Sequence, residues 1–402
     1  MTTRARPEKN SEGPAVERGE QRPVHPVRAE AERVERRFEP GSGGTGDAGA
    51  SSEAGEGGAA GSEGGSAGSD AGSGECQTAN ASNPIACASG VGICKSGTCT
   101  LPIFTTFGSS SNAIAISSDG TTVVGSSPAM KSFRWTIATG IVALPLLANA
   151  SECFVADVSA DGVYAVGDCT IAGKHAPVRW KGTSAPINLG VPSQNDSAIA
   201  SAVNANGTVV VGSATLNNDR GSAAIWTIGA TPLVLPNATG ALSAGANAVS
   251  ANGGVIVGDA WNGSQNQAFR WTTSGGMQLI PYFASPSSAG ASDVSADGSK
   301  TLVSDAFQAY IWSSGVLDKV GSSAESAIAL SSDGTVVLTG HGTIIGGVTQ
   351  TMAARLATAG YDLGDFIILG LTDISGNGKS ILGSGYHNIP NATYDGFLVT
   401  FP

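Results

Sequence analysis

Charge and aromatic rings are scarce in this chain of 402 residues: 13% is Asp, Glu, Lys or Arg and 6% is Phe, Trp or Tyr. Lys and Arg number 21 against 32 Asp and Glu, giving a formal net charge of -11, and they form no basic stripe. That excludes the electrostatic footprint of a nucleic-acid binder. No apolar run approaches the ~18 residues that a transmembrane helix requires. The first 40 residues hold no apolar core of a secretory leader, so export by another route, or a different start, is expected. Histidine is limited to His25, His175, His341 and His387, and no pair has metal-ligand or nucleophile–base spacing. No cofactor is expected, and no catalytic set is legible.

What the chain has in quantity is a repeat. A turn dipeptide recurs as Asp119-Gly120, Asp161-Gly162, Asn206-Gly207, Asn252-Gly253, Asp297-Gly298, Asp333-Gly334 and Asn377-Gly378, with glycine spacings of 42, 45, 46, 45, 36 and 44. An apolar residue and Ser precede most of these turns, as in Ile116-Ser117. A β-branched run closed by Gly follows, as in Val123-Val124-Gly125, and Ser304 is read as the departure from that Gly in unit five. Gly supplies the positive φ of a tight hairpin, and the run after it suits a strand buried on both faces. A variable loop leads to an aromatic strand (Phe133-Arg134-Trp135, Val178-Arg179-Trp180, Ala224-Ile225-Trp226, Phe269-Arg270-Trp271, Tyr310-Ile311-Trp312), with Leu356 and Val399 read in the Trp position of units six and seven. A fourth apolar stretch completes each unit, from Ile141–Leu147 in the first to Phe366–Leu369 in the sixth.

Four strands per unit and seven units predict an all-β fold: a seven-bladed β-propeller of four-stranded antiparallel blades over residues 101–402. So small a sheet cannot bury both faces alone, so the ring must close. The small residues Ala113, Ala115, Ala202, Ala248 and Ala329 are expected on the innermost strand, and Trp further out. Leu101–Phe107 reads as a fourth strand with no blade before it. The seventh unit ends at its third strand, so the N-terminal strand is expected to complete the last blade.

Residues 1–40 read as a disordered charged tail and 41–75 as a flexible acidic linker of Gly, Ser and Ala. In 76–100, Cys76, Cys87, Cys94 and Cys99 imply two disulfides with three possible connectivities. The competing zinc site lacks a CxxC pair and a nearby His. Cys153 and Cys169 flank the Asp161-Gly162 hairpin, and a bond between them would contribute about 3 kcal/mol. Six pairable Cys point to an oxidising compartment.

The pattern carried by AISSDGTTVVG with FRWT, VSADGVYAVG with VRW and VSANGGVIVG with AFRWT resembles the HAF repeat of extracellular bacterial proteins. The resemblance covers nearly all of 101–402 and implies a propeller-like architecture outside the cell or on its surface. It brings no reaction and no ligand.

Candidate ligand-binding residues are those outside the repeat register. Trp261 with Asn262 stands in an expected long loop from Asp259 to Gln267, where a ring flanked by amides suits a sugar face or a partner's apolar patch. Tyr386, His387 and Tyr394 form a second group, and Asn217 to Arg220 a third that reads as solvated loop. Arg134, Arg179, Arg270 and Arg355 are read at one repeat position, each reaching a carbonyl or an Asp, with convergence on an anionic ligand as the alternative. Asp157, Asp293 and Asp373 are their natural partners, or ligands of a cation in the channel. The long second-to-third and fourth-to-first connections emerge on one face, where function concentrates. The expected protein is a non-catalytic, monomeric, extracellular or surface propeller that binds a glycan or protein through that face. A polysaccharide hydrolase or lyase and a purely structural envelope protein are the alternatives.

Overall fold

The computed structural model describes residues 93–95, 98–100, 103–215, 221–281, 288–305, 308–321, 327–359, 361–387 and 394–401. Seven four-stranded antiparallel sheets follow one another around a ring. Their first strands, from Asn112–Ile116 in blade one to Phe366–Ile374 in blade seven, touch in sequence around the centre, with the seventh returning to the first. Each blade then runs outward as a meander. Blade seven is completed by Ile103–Ser109, which pairs with Asp395–Thr400, so the ring is closed by strands from opposite ends of the fold.

The turn signature works as a hydrogen-bond device. Ser117 Oγ donates to Asp119 Oδ1 at 2.6 Å and accepts the Thr122 N–H at 2.9 Å, locking the hairpin from inside. The same pair of bonds recurs at Ser159, Ser250, Ser295, Ser331 and Ser375. In blade three Asn204 replaces the Ser and accepts from Thr208 and Val209. Only an acceptor oxygen is needed beside the Gly, which is why Asp and Asn alternate there; all seven turn glycines have φ between +63° and +81°.

The turns also bind one another. Ser118, Asp161, Ala205, Ala251, Ala296, Ser332 and Asn377 each donate a backbone N–H to the next blade's turn carbonyl, at 2.8 to 3.2 Å, and the last donates back to Ser118. This belt encircles the central channel at its turn end. The residue after each turn Ser or Asn is small (Ser118, Ala160, Ala205, Ala251, Ala296, Ser332, Gly376): Ser118 Oγ and Ser332 Oγ lie 3.4 Å apart, and a Cβ on Gly376 would collide with both.

Each innermost strand carries a β-bulge, for example between Ala113 and Ala115 and between Val155 and Asp157. The bulge brings a carbonyl onto the second strand, so a Cβ on Gly125 would clash with Asn112 O and one on Gly167 with Phe154 O. The register assigns Val303, not Ser304, to this position in blade five, because Val303 faces Ala291 as Gly125 faces Ala113.

Trp180 and Trp226 are fully buried, and their indole N–H groups donate to Pro145 O (2.8 Å) and Gly190 O (2.7 Å) of the preceding blade. Blade six departs from the expected alignment. Its third and fourth strands are Gly342–Ile345 and Val348–Thr351, so Ile344 stands at the Trp position and not Leu356. Arg355 and Leu356 belong to a helix, α1, Met352–Thr358, capped by Thr351, and Phe366 opens the innermost strand of blade seven. The physical cause is a second-to-third connection shortened to Gly340-His341, which brings the outer strands forward in sequence. The freed length, rich in the helix formers Met, Ala, Arg and Leu, becomes α1.

Cys153 and Cys169 are directly opposed on the first two strands of blade two, with Cα atoms 3.9 Å apart, and are disulfide-bonded. Cys94 and Cys99 are Cα partners in a hairpin of Ile93–Lys95 and Thr98–Thr100. Cys76, Cys87, His25, the expected tail and linker, and Asn217 to Arg220 lie outside the described residues.

Candidate functional site at the loop face

The repeat-position Arg residues are structural. Arg134 Nη1 and Arg179 Nη1 donate to Gly162 O and Gly207 O of the next blade, both at 2.5 Å, and Arg270 Nη2 reaches Gly298 O at 3.3 Å. Arg355 is not in this row. It reaches Thr343 Oγ1 from α1 and lies over the Phe401 ring at 4.0 Å.

The channel aspartates do not pair with these Arg residues. Asp157 takes the N–H groups of Val158 and Val203, Asp293 those of Val294 and Leu330, and Asp373 those of Ile374 and Ile116. Each carboxylate therefore joins two neighbouring innermost strands, satisfying N–H groups that no ladder reaches. Among the described residues no group of three or more His, Cys, Asp or Glu is placed to hold a metal ion.

At the opposite end from the belt, the variable connections gather three groups. In blade seven, Tyr386 and His387 end the strand Ser380–His387, and Tyr394 immediately precedes the next. The two Tyr rings stand edge to face with centroids 6.4 Å apart, and Tyr394 is 59% exposed. His387 Nδ1 is 2.8 Å from Asp365 Oδ1, and its ring meets the Phe366 ring edge-on. The His387 contact holds the Asp365 carboxyl below the usual range.

In blade four the expected long loop is a tight turn. Trp261 is the last residue of the strand Val255–Trp261, paired with Ser243 on one side and Asn266 on the other, and is half-buried. Asn262 Oδ1 accepts from the N–H groups of Ser264 and Gln265, so this side chain builds the turn. Blades four and seven are not neighbours, so Trp261 and the Tyr pair are not brought together.

In blade two, sequence reasoning missed a third group. His175 Nδ1 is 2.6 Å from Asp168 Oδ2, and Phe154, Asp168's cross-strand partner, is exposed on the innermost strand. Burial raises the Asp168 carboxyl and Glu152 adds to this, while the His175 contact opposes it.

One buried acid stands apart. Asp259 is 5% exposed at the seam between blades four and five. Asn247 Nδ2 donates to its Oδ2 at 3.1 Å and to Ala291 O at 3.0 Å, while its Oδ1, against Gly290, has no hydrogen-bond partner. Burial lifts its carboxyl to about 6, with the Asn247 amide and the Ala291 N–H opposing. Because this lies above the unfolded value of 3.8, the folded protein holds a proton that the unfolded chain releases. The resulting stabilisation is complete below 3.8 and is lost as pH rises through about 6. Denaturant unfolding is expected to show the wild type losing about 1 kcal/mol between pH 5 and pH 8 relative to Asp259→Asn. Identical pH slopes would show that this carboxyl titrates as an exposed one does.

No family model matches the chain, and no curated protein matches it in sequence. Solved structures do match. An oligogalacturonate lyase in complex with manganese aligns over 75% of this chain and 94% of its own, at 11% identity and a TM-score of 0.50. A protein described as TolB, from Agrobacterium tumefaciens, aligns over 52% of this chain and 80% of its own, at 15% identity and a TM-score of 0.42. At these identities the likeness is one of fold.

Proposed function

We propose that the chain is a non-catalytic propeller, monomeric and outside the cytoplasm, that binds a partner through its loop face, a glycan in preference to a protein. The observation that carries this is the Tyr386–Tyr394 pair, with Tyr394 59% exposed at the end of the blade that also carries the His387–Asp365 contact. Exposed rings that carry their own hydroxyl groups suit the alternating apolar and hydroxylated faces of a sugar. The buried Cys153–Cys169 bond and the resemblance of the repeats to HAF proteins support an oxidising, extracellular setting. Trp261 is the second candidate contact, with Asn262 shaping the turn beside it.

Glycan-array binding by the wild type is expected to fall at least about tenfold in Tyr394→Ala with the melting temperature unchanged, since more than half of that ring is already in water. Undiminished binding by the variant would remove the Tyr pair from the site. A polysaccharide-cleaving enzyme is the second reading, favoured by the Asp168–His175 pair, whose carboxylate orients an imidazole as a general base requires. Release of new reducing ends from pectin or xylan by the wild type would favour it over binding.

A further inference from the structure

We infer that blade two carries a second saccharide subsite at the loop end of the channel, where Phe154 stacks on the apolar face of a neutral pyranose and Asp168 with His175 hydrogen-bonds its hydroxyls. The inference rests on the reading of the loop face as a glycan-binding surface.

Phe154 is 40% exposed on the innermost strand Glu152–Val158. The equivalent positions in five of the other six blades, fixed by register, hold Asn112, Ile199, Gly245, Gly290 and Gly370. Those blades close without an aromatic there, so packing does not require the Phe154 ring. Asp168 is its Cα partner, so the two side chains are neighbours on one face of the sheet. The adjoining Cys153–Cys169 pair ties together the strands that carry them. Ile199, 38% exposed in blade three, extends the apolar wall, and a Cβ on Gly245 in blade four would meet nothing within 4 Å. Beyond Ile199 the space at blade four is therefore open.

Two features narrow the occupant. The belt and the packed Ser118, Ser332 and Gly376 close the far end, so the mouth takes the end of a chain and not a threaded one. Glu152 acts on Asp168, and the cations at this end of the blade, Lys131 and Lys174, are already paired with Glu152 and Asp196, at 3.8 and 2.6 Å. A uronate would bring a further carboxylate into this setting, so a neutral sugar is favoured.

The test is isothermal titration of the full chain with cellohexaose, xylohexaose and chitohexaose, and with hexagalacturonate as the charged counterpart. Binding of at least one neutral hexasaccharide is expected, weakened about tenfold in Phe154→Ala and in Asp168→Asn. Should Phe154→Ala not fold, Phe154→Leu keeps apolar bulk without the ring and is expected to show the same loss. Binding lost in Tyr394→Ala but intact in both blade-two variants would overturn the subsite and leave the loop-face reading standing. Tighter binding of hexagalacturonate than of every neutral sugar would overturn the charge argument and with it the assigned class. No binding of any of the four by the wild type would overturn subsite and loop-face reading together.

Discussion

A chain starting at Ser111 is expected not to form a cooperatively folded ring, and a peptide of residues 101–110 added in trans is expected to restore it. The deletion removes Ile103–Ser109, leaving the outer edge of Asp395–Thr400 with unpaired N–H and C=O groups. It also removes two aromatic anchors. Phe104 packs against Phe366 and Phe397, both with centroids 5.1 Å away, and against Tyr361 at 5.7 Å. Phe107 is 5.4 Å from Trp135 and 5.9 Å from Phe133 in blade one, so it links the last blade to the first. Two such side chains at about 1.5 to 3 kcal/mol each, with the lost ladder, approach the whole ~5 to 15 kcal/mol of a typical domain. Circular dichroism melts of the truncated chain, with and without the peptide, read this directly. A single sharp transition at the wild-type temperature without the peptide would show that the closure is dispensable.

Trp180→Ala is expected to cost about 3 to 5 kcal/mol, a fall in melting temperature on the order of 10 °C. The ring has no exposed surface and packs with Val155, Val178 and Leu144 across the seam between blades one and two. Its indole N–H is also the partner of Pro145 O, which the smaller side chain would leave unsatisfied. Trp180→Phe keeps most of the bulk and loses only the donor, so it should fall in between. Equal losses for the two variants would assign the whole effect to the hydrogen bond.

The blade count, the inner-to-outer order and the closure were legible in the sequence because each rests on local chemistry. A Ser, an Asp or Asn and a Gly build each turn wherever they fall together, and a small sheet has only its neighbours to pack on. Blade six was misread where that chemistry thins. With a two-residue link at Gly340-His341 and Ile344 in place of Trp, the outer strands carried no marker, and the tempting Arg355-Leu356 proved helical. Trp261 was read as a loop residue because nothing in WNGSQNQ distinguishes an extended strand with a four-residue turn from a longer excursion.

The channel aspartates were singled out, but their partners were not foreseeable: the free N–H groups they take are products of bulges in strands far apart in sequence. Phe154 carried a weak signal, as an aromatic at a position where other repeats have Asn, Ile or Gly. Finding it required the bulge register, because its exposure is a property of the ring and not of the repeat.

The ring of amides around the turn end has no first or last member. A repeat lengthened or shortened there would break the circuit for every blade, whereas residues added at the other end disturb only their own blade. The first-to-second turns have one length in all seven blades, and most of the difference in repeat length, from 36 to 46 residues, falls in the connections on the far side. The architecture thus separates a hub that cannot vary from a rim that can, and new recognition can arise on this wheel without reopening the question of how it stays shut.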